Sequence, residues 1–392
     1  RCDTYEENKH FFLSHFFRDQ YEKSLKNLPM VTSGVRITRI EVYVTNRTNN
    51  VSSMRNLVGL SDLAEKNPYR KEIVIPNTSI LAADNKSNNL FTGLVNNESF
   101  RRIDNSGNIL SGMGLKNGED FELLRGAKKL TDREFEIQPE LGYISLLSPL
   151  RNDEILSVAY EYTYQGRAYK VGELTEDYVS RKEDEVIILK MLKSSTIRNR
   201  LNNPMWNLMM KNVYSLAQGQ IKKEGFQLRI VYKDDQTGMD TPNLKDVKTF
   251  ANVPLIELLG LDKLNFNNDP KKDGNFDYVE NVTINEKYGR IIFPVLEPFG
   301  SHIRKKFEGE TEDLKKKYVF DELYKQTLMD AQQVSLKNKF FISGSVLSGG
   351  SEISLPLGAS GASVRVYAGG NELKQGVDYT VDTQQGTIMI TN

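Results

Sequence analysis

Three stretches of this chain share one skeleton. They are FEIQPELGYISL at Phe135–Leu146, VTINEKYGRIIF at Val282–Phe293 and YTVDTQQGTIMI at Tyr379–Ile390. In each, two apolar residues stand two apart, mostly polar residues follow, and then comes a glycine. After the glycine two apolar residues again stand two apart. Side chains alternate across a strand, so residues two apart face the same way. The polar residues read as a turn, and the glycine accepts the positive φ that closes a short hairpin loop. Each unit therefore predicts an antiparallel hairpin with one apolar face. A lone hairpin is marginal in water, so that face must pack against more structure. The first and third units also share an aromatic opening residue, Phe135 and Tyr379, and a preceding leucine, Leu130 and Leu373. They predict two similar β modules; the second unit is plainer.

The chain has 392 residues, more than one ordinary core holds. Its 39% apolar and 27% charged residues suit a globular protein. Three parts are expected: an α+β domain with an N-terminal helix over 1–165, a second α+β domain over 166–336 and a small β module over 337–392. The second carries an Asp/Asn-rich loop and a C-terminal helix. The fold class read from the pattern is multi-domain α+β. It combines immunoglobulin-like antiparallel β-sandwich and hairpin modules with a few amphipathic helices. Spacing of Phe12, Leu13, Phe16, Phe17 and Tyr21 predicts a helix over 5–28, ended by Leu28-Pro29. Alternation in VRITRIEVYV predicts a strand over Val35–Val44. Further strands are predicted at 121–124, 134–137, 143–147, 155–164, 185–192, 208–216 and 226–233. The region 45–120 reads as loop-rich, 165–184 as a connection, 255–261 as a short helix and 311–336 as one long charged helix.

Lys plus Arg equals Asp plus Glu at 52 each, which argues against a general nucleic-acid binder. The one cysteine, Cys2, excludes an internal disulfide. His10, His15 and His302 stand apart without cysteine companions, a poor pattern for zinc. No serine elbow, phosphate loop or dinucleotide fingerprint occurs. A non-enzyme without catalytic residues or a required cofactor is expected. The best chemical candidate is NFNNDPKKDGNFDYVE, Asn265–Glu280. Asn265, Asn267, Asp269, Asp273 and Asp277 place oxygens at close spacing, and Gly274 permits a sharp turn. Calcium takes such oxygens, although Pro270 and Lys271-Lys272 break an EF-hand register. The competing reading is a loop whose Asx side chains cap their own backbone. The Met205, Trp206, Met209 and Met210 cluster reads as core before it reads as an adaptable binding surface. No apolar run approaches the ~20 residues of a membrane-spanning helix. The chain opens at Arg1 and reads as a piece of a larger protein.

Several stretches, in order, resemble one family. They are YEENKHFFLSHFFRDQY, LPMVTSGVRITRIEVYVTN, LGYISLLSPLRNDEILSVAYEYTYQGRAYKVGE, PMWNLMMKNVYSL, NNDPKKDGNFDYVE, YGRIIFPVLEPFGSHIRKK and VDYTVDTQQGTIMITN. Together they span nearly the whole chain and are similar to the SprA (Sov) proteins of Bacteroidetes, a cell-surface gliding-motility and secretion family. The resemblance implies part of the outer-membrane translocon of the type IX secretion system. There one very large chain forms a wide transmembrane β-barrel with soluble inserts. The implied partners are secreted cargo, a PorV-like barrel protein and a periplasmic plug protein. A barrel needs many alternating strands of ~9–11 residues, which this chain lacks. It is therefore expected to be a soluble, non-enzymatic insert that caps or lines the barrel and contacts cargo or accessory subunits. The extracellular face is favoured, because such barrels keep long loops outside; the periplasmic face is the alternative. The rival function is a calcium-dependent surface binding or adhesion module, glycans included. Exposed aromatics beside the Asn265–Glu280 loop would favour it.

Overall fold

The computed structural model describes residues 1–47, 54–216, 221–223, 225–234, 237–345, 352–354, 364–368, 371–382 and 387–390. Strands of the first part are β1 (His10–Phe12), β2 (Val35–Val44), β3 (Met54–Leu60), β4 (Phe121–Lys129), β5 (Phe135–Gln138), β6 (Tyr143–Leu146), β7 (Leu156–Tyr164), β8 (Arg167–Val171) and β9 (Ile187–Lys193). Those of the second are β10 (Val213–Ser215), β11 (Gln227–Lys233), β12 (Asp240–Thr241), β13 (Ile284–Asn285), β14 (Arg290–Ile292) and β15 (Phe340–Ser345). Near the end come β16 (Glu352–Ser354), β17 (Tyr367–Ala368), β18 (Asn371–Glu372), β19 (Tyr379–Asp382) and β20 (Thr387–Ile390). The helices are α1 (His15–Ser24), α2 (Asn89–Leu94), α3 (Glu98–Arg101), α4 (Ile103–Gly112), α5 (Thr175–Tyr178), α6 (Leu255–Leu258), α7 (Ser301–Lys306), α8 (Glu312–Tyr318), α9 (Glu322–Lys325) and α10 (Leu328–Gln332). The molecule is thus mixed α and β, with several antiparallel sheets and short helices.

The largest sheet closes on itself. β2 pairs with β4, β4 with β3, β3 with β9, β9 with β7, and β7 returns to β2. Only β3 and β9 run parallel. β8 extends the sheet along the second half of β7. Irregular registers at Ile37/Arg39, Arg55/Leu57 and Leu156/Ser157 mark the points where the pairing slips. Such bulges sharpen local twist and help a sheet curl. Closure explains why every residue of β9 is buried, Lys190 and Lys193 included. The sequence pattern reads as a two-sheet sandwich, and here this sheet meets its own far edge instead. An apolar strand face does not state which strand will cover it.

Hairpins form where the repeated unit places them. β5 pairs with β6 (Phe135 opposite Leu146), β13 with β14 (Ile284 opposite Ile291) and β19 with β20 (Tyr379 opposite Ile390). Gly142 and Gly289 take φ of +65° and +61°. The turn of the third unit, 383–386, lies outside the described residues. The first two units are stitched together by the N-terminal segment. β1 adds to β6, Met210 N donates to His10 O at 2.8 Å, and Glu6 N donates to Val213 O at 2.9 Å. The segment then reaches the far end of the fold. Cys2 N donates to Phe340 O at 2.9 Å, Cys2 Sγ to Asn338 Oδ1 at 3.3 Å, and Tyr214 Oη to Cys2 O at 2.9 Å.

Buried apolar residues fall into two clusters. One joins α1, α2, α4, the closed sheet and the first hairpin; the other joins residues from Tyr214 to Phe340 with Cys2 and Tyr5. Strand pairing crosses the expected boundary at 165/166, because β8 and β9 complete the first sheet. The clusters change over near Val213 and Tyr214, with Leu264, Val282 and Ile292 returning to the first.

Several elements differ from the sequence reading. The helix over 5–28 is a strand, β1, followed by α1, because Phe11 and Phe12 pair with the first hairpin. The connection 165–184 contains β8, turned by Gln165 and Gly166 at φ of +49° and +75°. The loop-rich stretch holds α2, α3 and α4. The long helix over 311–336 is three short ones. Thr311 and Thr327 cap α8 and α10 by accepting from Leu314 N and Asp330 N, while Phe320 N leaves the helical path to donate to Phe299 O at 2.8 Å. Burying Val319 and Phe320 there outweighs helix continuity.

Candidate functional site

The Asp/Asn loop runs from α6 to β13. Asn265 Oδ1 accepts from Asn267 N and from Asp269 N, both at 2.9 Å, and Asn265 Nδ2 donates to Asp269 Oδ2 at 3.0 Å. Asp273 Oδ1 accepts from Asn275 N at 2.9 Å. Asp277 is 3% exposed, and its oxygens accept from Lys263 N at 2.7 Å and Leu264 N at 2.9 Å. Burial pushes its pKa up to about 6 against those two bonds. Asp262, which the spacing argument did not include, accepts from Asp273 N at 3.1 Å and Gly274 N at 3.0 Å. These are Asx turns and caps in the sense of local side-chain to backbone bonding. Among the described residues no three His, Cys, Asp or Glu side chains converge. A calcium cage needs six to eight convergent oxygens; here Asn265 Oδ1, Asp273 Oδ1 and both Asp277 oxygens already accept from backbone amides. At about 5 mM calcium a site with Kd about 1 mM would stabilise the fold by about 1 kcal/mol. The expected result of a melting scan with and without calcium is no shift.

The same loop forms one wall of a cleft. The opposite wall is Lys223, Gly225 and the start of β11, and the enclosed space is about 630 Å³. Phe226, Phe276 and Tyr278 meet edge to face there, with Phe226 centred 5.4 Å from each of the others. Phe266 stands on the rim, 82% exposed, and Lys223 Nζ lies 5.5 Å from its ring centre. Asn265, Asn268, Asn275, Gln227, Arg229 and Asp273 supply polar lining. Asn268 takes φ of +63°, a backbone state that asparagine tolerates better than most residues. Sequence reasoning found the loop and missed the cleft, whose walls lie about forty residues apart along the chain.

A second constellation joins the first two hairpins and was also missed. His10 Nε2 contacts Glu6 Oε2 at 2.9 Å, and His10 Nδ1 contacts Ser145 Oγ at 2.7 Å. Glu6 also accepts from Lys9 Nζ at 2.8 Å and is ion-paired with Arg290, whose Nε lies 2.5 Å from it. Burial pushes the His10 pKa down, against the bond to Glu6 and its charge. Burial opposes ionisation of Glu6, but the bonds from His10 and Lys9 and the charge of Arg290 outweigh it and hold the carboxyl at about 2. A hydroxyl beside a carboxylate-backed imidazole resembles an activated nucleophile. Acyl transfer also needs free donors aimed at a developing oxyanion. Ser145 sits mid-strand, paired by β1 on one side and β5 on the other. Its surroundings make a clamp between β6 and β14.

A second, half-buried histidine behaves oppositely. Burial lowers the pKa of His15, but the charge of Glu65 and its bond at 2.9 Å outweigh this and raise it. Glu65 also holds buried Lys190 at 2.7 Å. For His10 the unfolded chain takes the proton first, so the clamp contributes fully above pH 6.5 and fades as pH falls. For His15 the contribution is full below pH 6.5 and fades as pH rises through the raised folded value. His10→Asn is expected to flatten the stability loss between pH 7.5 and 5.5, and His15→Asn to steepen it, each by up to about 1.4 kcal/mol per pH unit. Urea midpoints at the two pH values measure both.

The Trp206 cluster is core. Trp206, Met205, Met209 and Met210 are buried, and Trp206 Nε1 donates to Tyr324 O at 2.8 Å. Beneath the indole lies an unexpected cation. Lys211 Nζ sits 4.6 Å from the Trp206 ring centre and donates to Trp206 O at 2.8 Å, and burial pulls its pKa down to about 7. No family model matches this chain, and comparison with the curated proteins found no match. No described helix is long and apolar enough to cross a membrane.

Proposed function

We propose that this chain is a soluble, non-enzymatic region of a type IX secretion outer-membrane translocon. It caps or lines the barrel on the extracellular side and contacts cargo or a PorV-like barrel protein; on the alternative, periplasmic side it contacts the plug. Its action is steric gating and docking, without bond chemistry. The observation that supports this reading is the ordered set of SprA-like stretches along nearly the whole sequence. For 337–392 we keep the immunoglobulin-like module as part of the proposal; β16, β20 and β19 pair antiparallel there.

Protease shaving of intact cells that carry the parent chain tests the placement. Cleavage within this region before lysis is expected, and protection until lysis would sink the extracellular assignment. A deletion tests the transport role. Removing 185–392 would strip β9 from the closed sheet, so the cut belongs after Ser345. Loss of 346–392 is expected to reduce export of large cargo with the barrel still assembled. Unchanged export would remove that segment from the transport role. A second reading, a ligand-binding surface module, is favoured by one observation: exposed Phe266 within the Asp/Asn loop.

A further inference from the structure

We propose that the cleft between one wall of Lys223 and Gly225–Arg229 and another within Leu264–Tyr278 is a binding site for a neutral oligosaccharide. The inference does not depend on the export reading. Its volume, about 630 Å³, falls within the range of built ligand sites. Such sites combine apolar and aromatic walls with a few placed polar groups. Here Phe226, Phe276 and Tyr278 lock edge to face and form a rigid floor. Phe266 is different. It is 82% exposed, and among the described residues the Lys223 ammonium is seated over one side of the ring. An exposed ring on a pinned loop offers a platform for the flat C–H face of a sugar. The pinning comes from Asn265, whose bonds to Asn267 and Asp269 order the loop before any ligand arrives. Preorganisation of that kind lowers the entropy cost of binding.

The polar lining fits hydroxyls. Side-chain amides carry donors and acceptors together, which is what a sugar hydroxyl presents in return. The side chains of Gln227, Asn268 and Arg229 make no hydrogen bond to the described residues, and Asp273 Oδ2 is likewise unengaged. Among the described lining residues Lys223 and Arg229 offset Asp273 and Asp277, so the cleft selects neither a polyanion nor a polycation. That balance points away from nucleic acid and from charged peptides. The floor rings close on one another and leave no slot between parallel rings, which a polyproline ligand uses.

The test is calorimetry and saturation-transfer NMR on the 392-residue chain. The probes are neutral hexasaccharides of glucose (α- and β-linked), mannose and N-acetylglucosamine, with decaproline as a separate arm. Binding by at least one sugar is expected, with saturation transfer to its ring protons. Phe266→Ala should weaken that binding at least tenfold without moving the melting temperature, because Phe266 is exposed. Asn268→Gly keeps the left-handed backbone, removes only the amide, and should weaken binding several-fold. No binding by any sugar at about 5 mM, binding by decaproline instead, or unchanged affinity in both variants would each overturn the proposal.

Discussion

Arg101→Leu is expected to destabilise the chain by about 3–5 kcal/mol, because it strands a buried carboxylate. Arg101 is 1% exposed and grips Glu173 with both terminal nitrogens, at 2.7 and 2.8 Å. The same guanidinium donates to Val95 O at 2.7 Å and Val186 O at 3.0 Å. Glu173 Oε2 accepts a further bond from Ile188 N at 2.8 Å. The pair therefore ties α3 to the segment that leads from β8 into β9. Two forked, charge-assisted bonds are stronger than neutral ones, and removing Arg101 leaves Glu173 facing Arg181 Nε at 3.9 Å, beyond hydrogen-bond reach. The double variant Arg101→Leu, Glu173→Leu should lose less than Arg101→Leu alone. Urea unfolding of the three variants measures the coupling. A single-variant loss below about 1 kcal/mol would show that the pair does not hold α3 to the sheet.

Gly142→Ala is the second large effect. Gly142 has φ of +65°, and an added Cβ would lie 2.3 Å from Phe17 Cγ. The backbone strain alone costs about 1–2 kcal/mol. Displacing a buried aromatic ring adds about 1–3 kcal/mol. A total loss of about 3 kcal/mol or more is expected. Gly166 is the internal control. It also has positive φ, +75°, but nothing lies within 4 Å of its Cβ position. Gly166→Ala should cost about 1 kcal/mol, and the difference between the two isolates the Phe17 contact. Equal losses would mean that α1 does not press on the hairpin turn.

Much of this was legible in the sequence where the signal is local. Alternation located β2 to the residue, and the apolar–turn–glycine unit located three hairpins. The helix over 5–28 misled because Phe12, Leu13, Phe16 and Phe17 satisfy helical spacing and also fill a strand followed by a helix. Pairing with β6, a contact over a hundred residues away, decided between them. Closure of the large sheet was invisible for a similar reason. It depends on β3 meeting β9 in parallel, and neither strand carries a mark of its partner. The Asp/Asn loop was found, but oxygen-rich spacing cannot distinguish a cation's ligands from caps on the loop's own amides. Nothing in the sequence separates Phe266, which is exposed, from Phe276, which packs against Phe226 and Tyr278.

The Cys2 contact turns the single thiol into a clock. Its hydrogen-bond acceptor, Asn338, follows it by 336 residues. At about 5–20 residues per second of synthesis, that is an interval of about 17–70 s. During it the thiol has neither Asn338 nor Phe340 to cover it and reacts as an ordinary cysteine. Once they close over it, burial pushes its pKa up to about 12 and the nucleophilic thiolate vanishes. Pulsed alkylation during refolding or synthesis would therefore time one event, the docking of the N-terminal segment on the second core. No engineered probe would be needed, because the chain carries no other sulfhydryl.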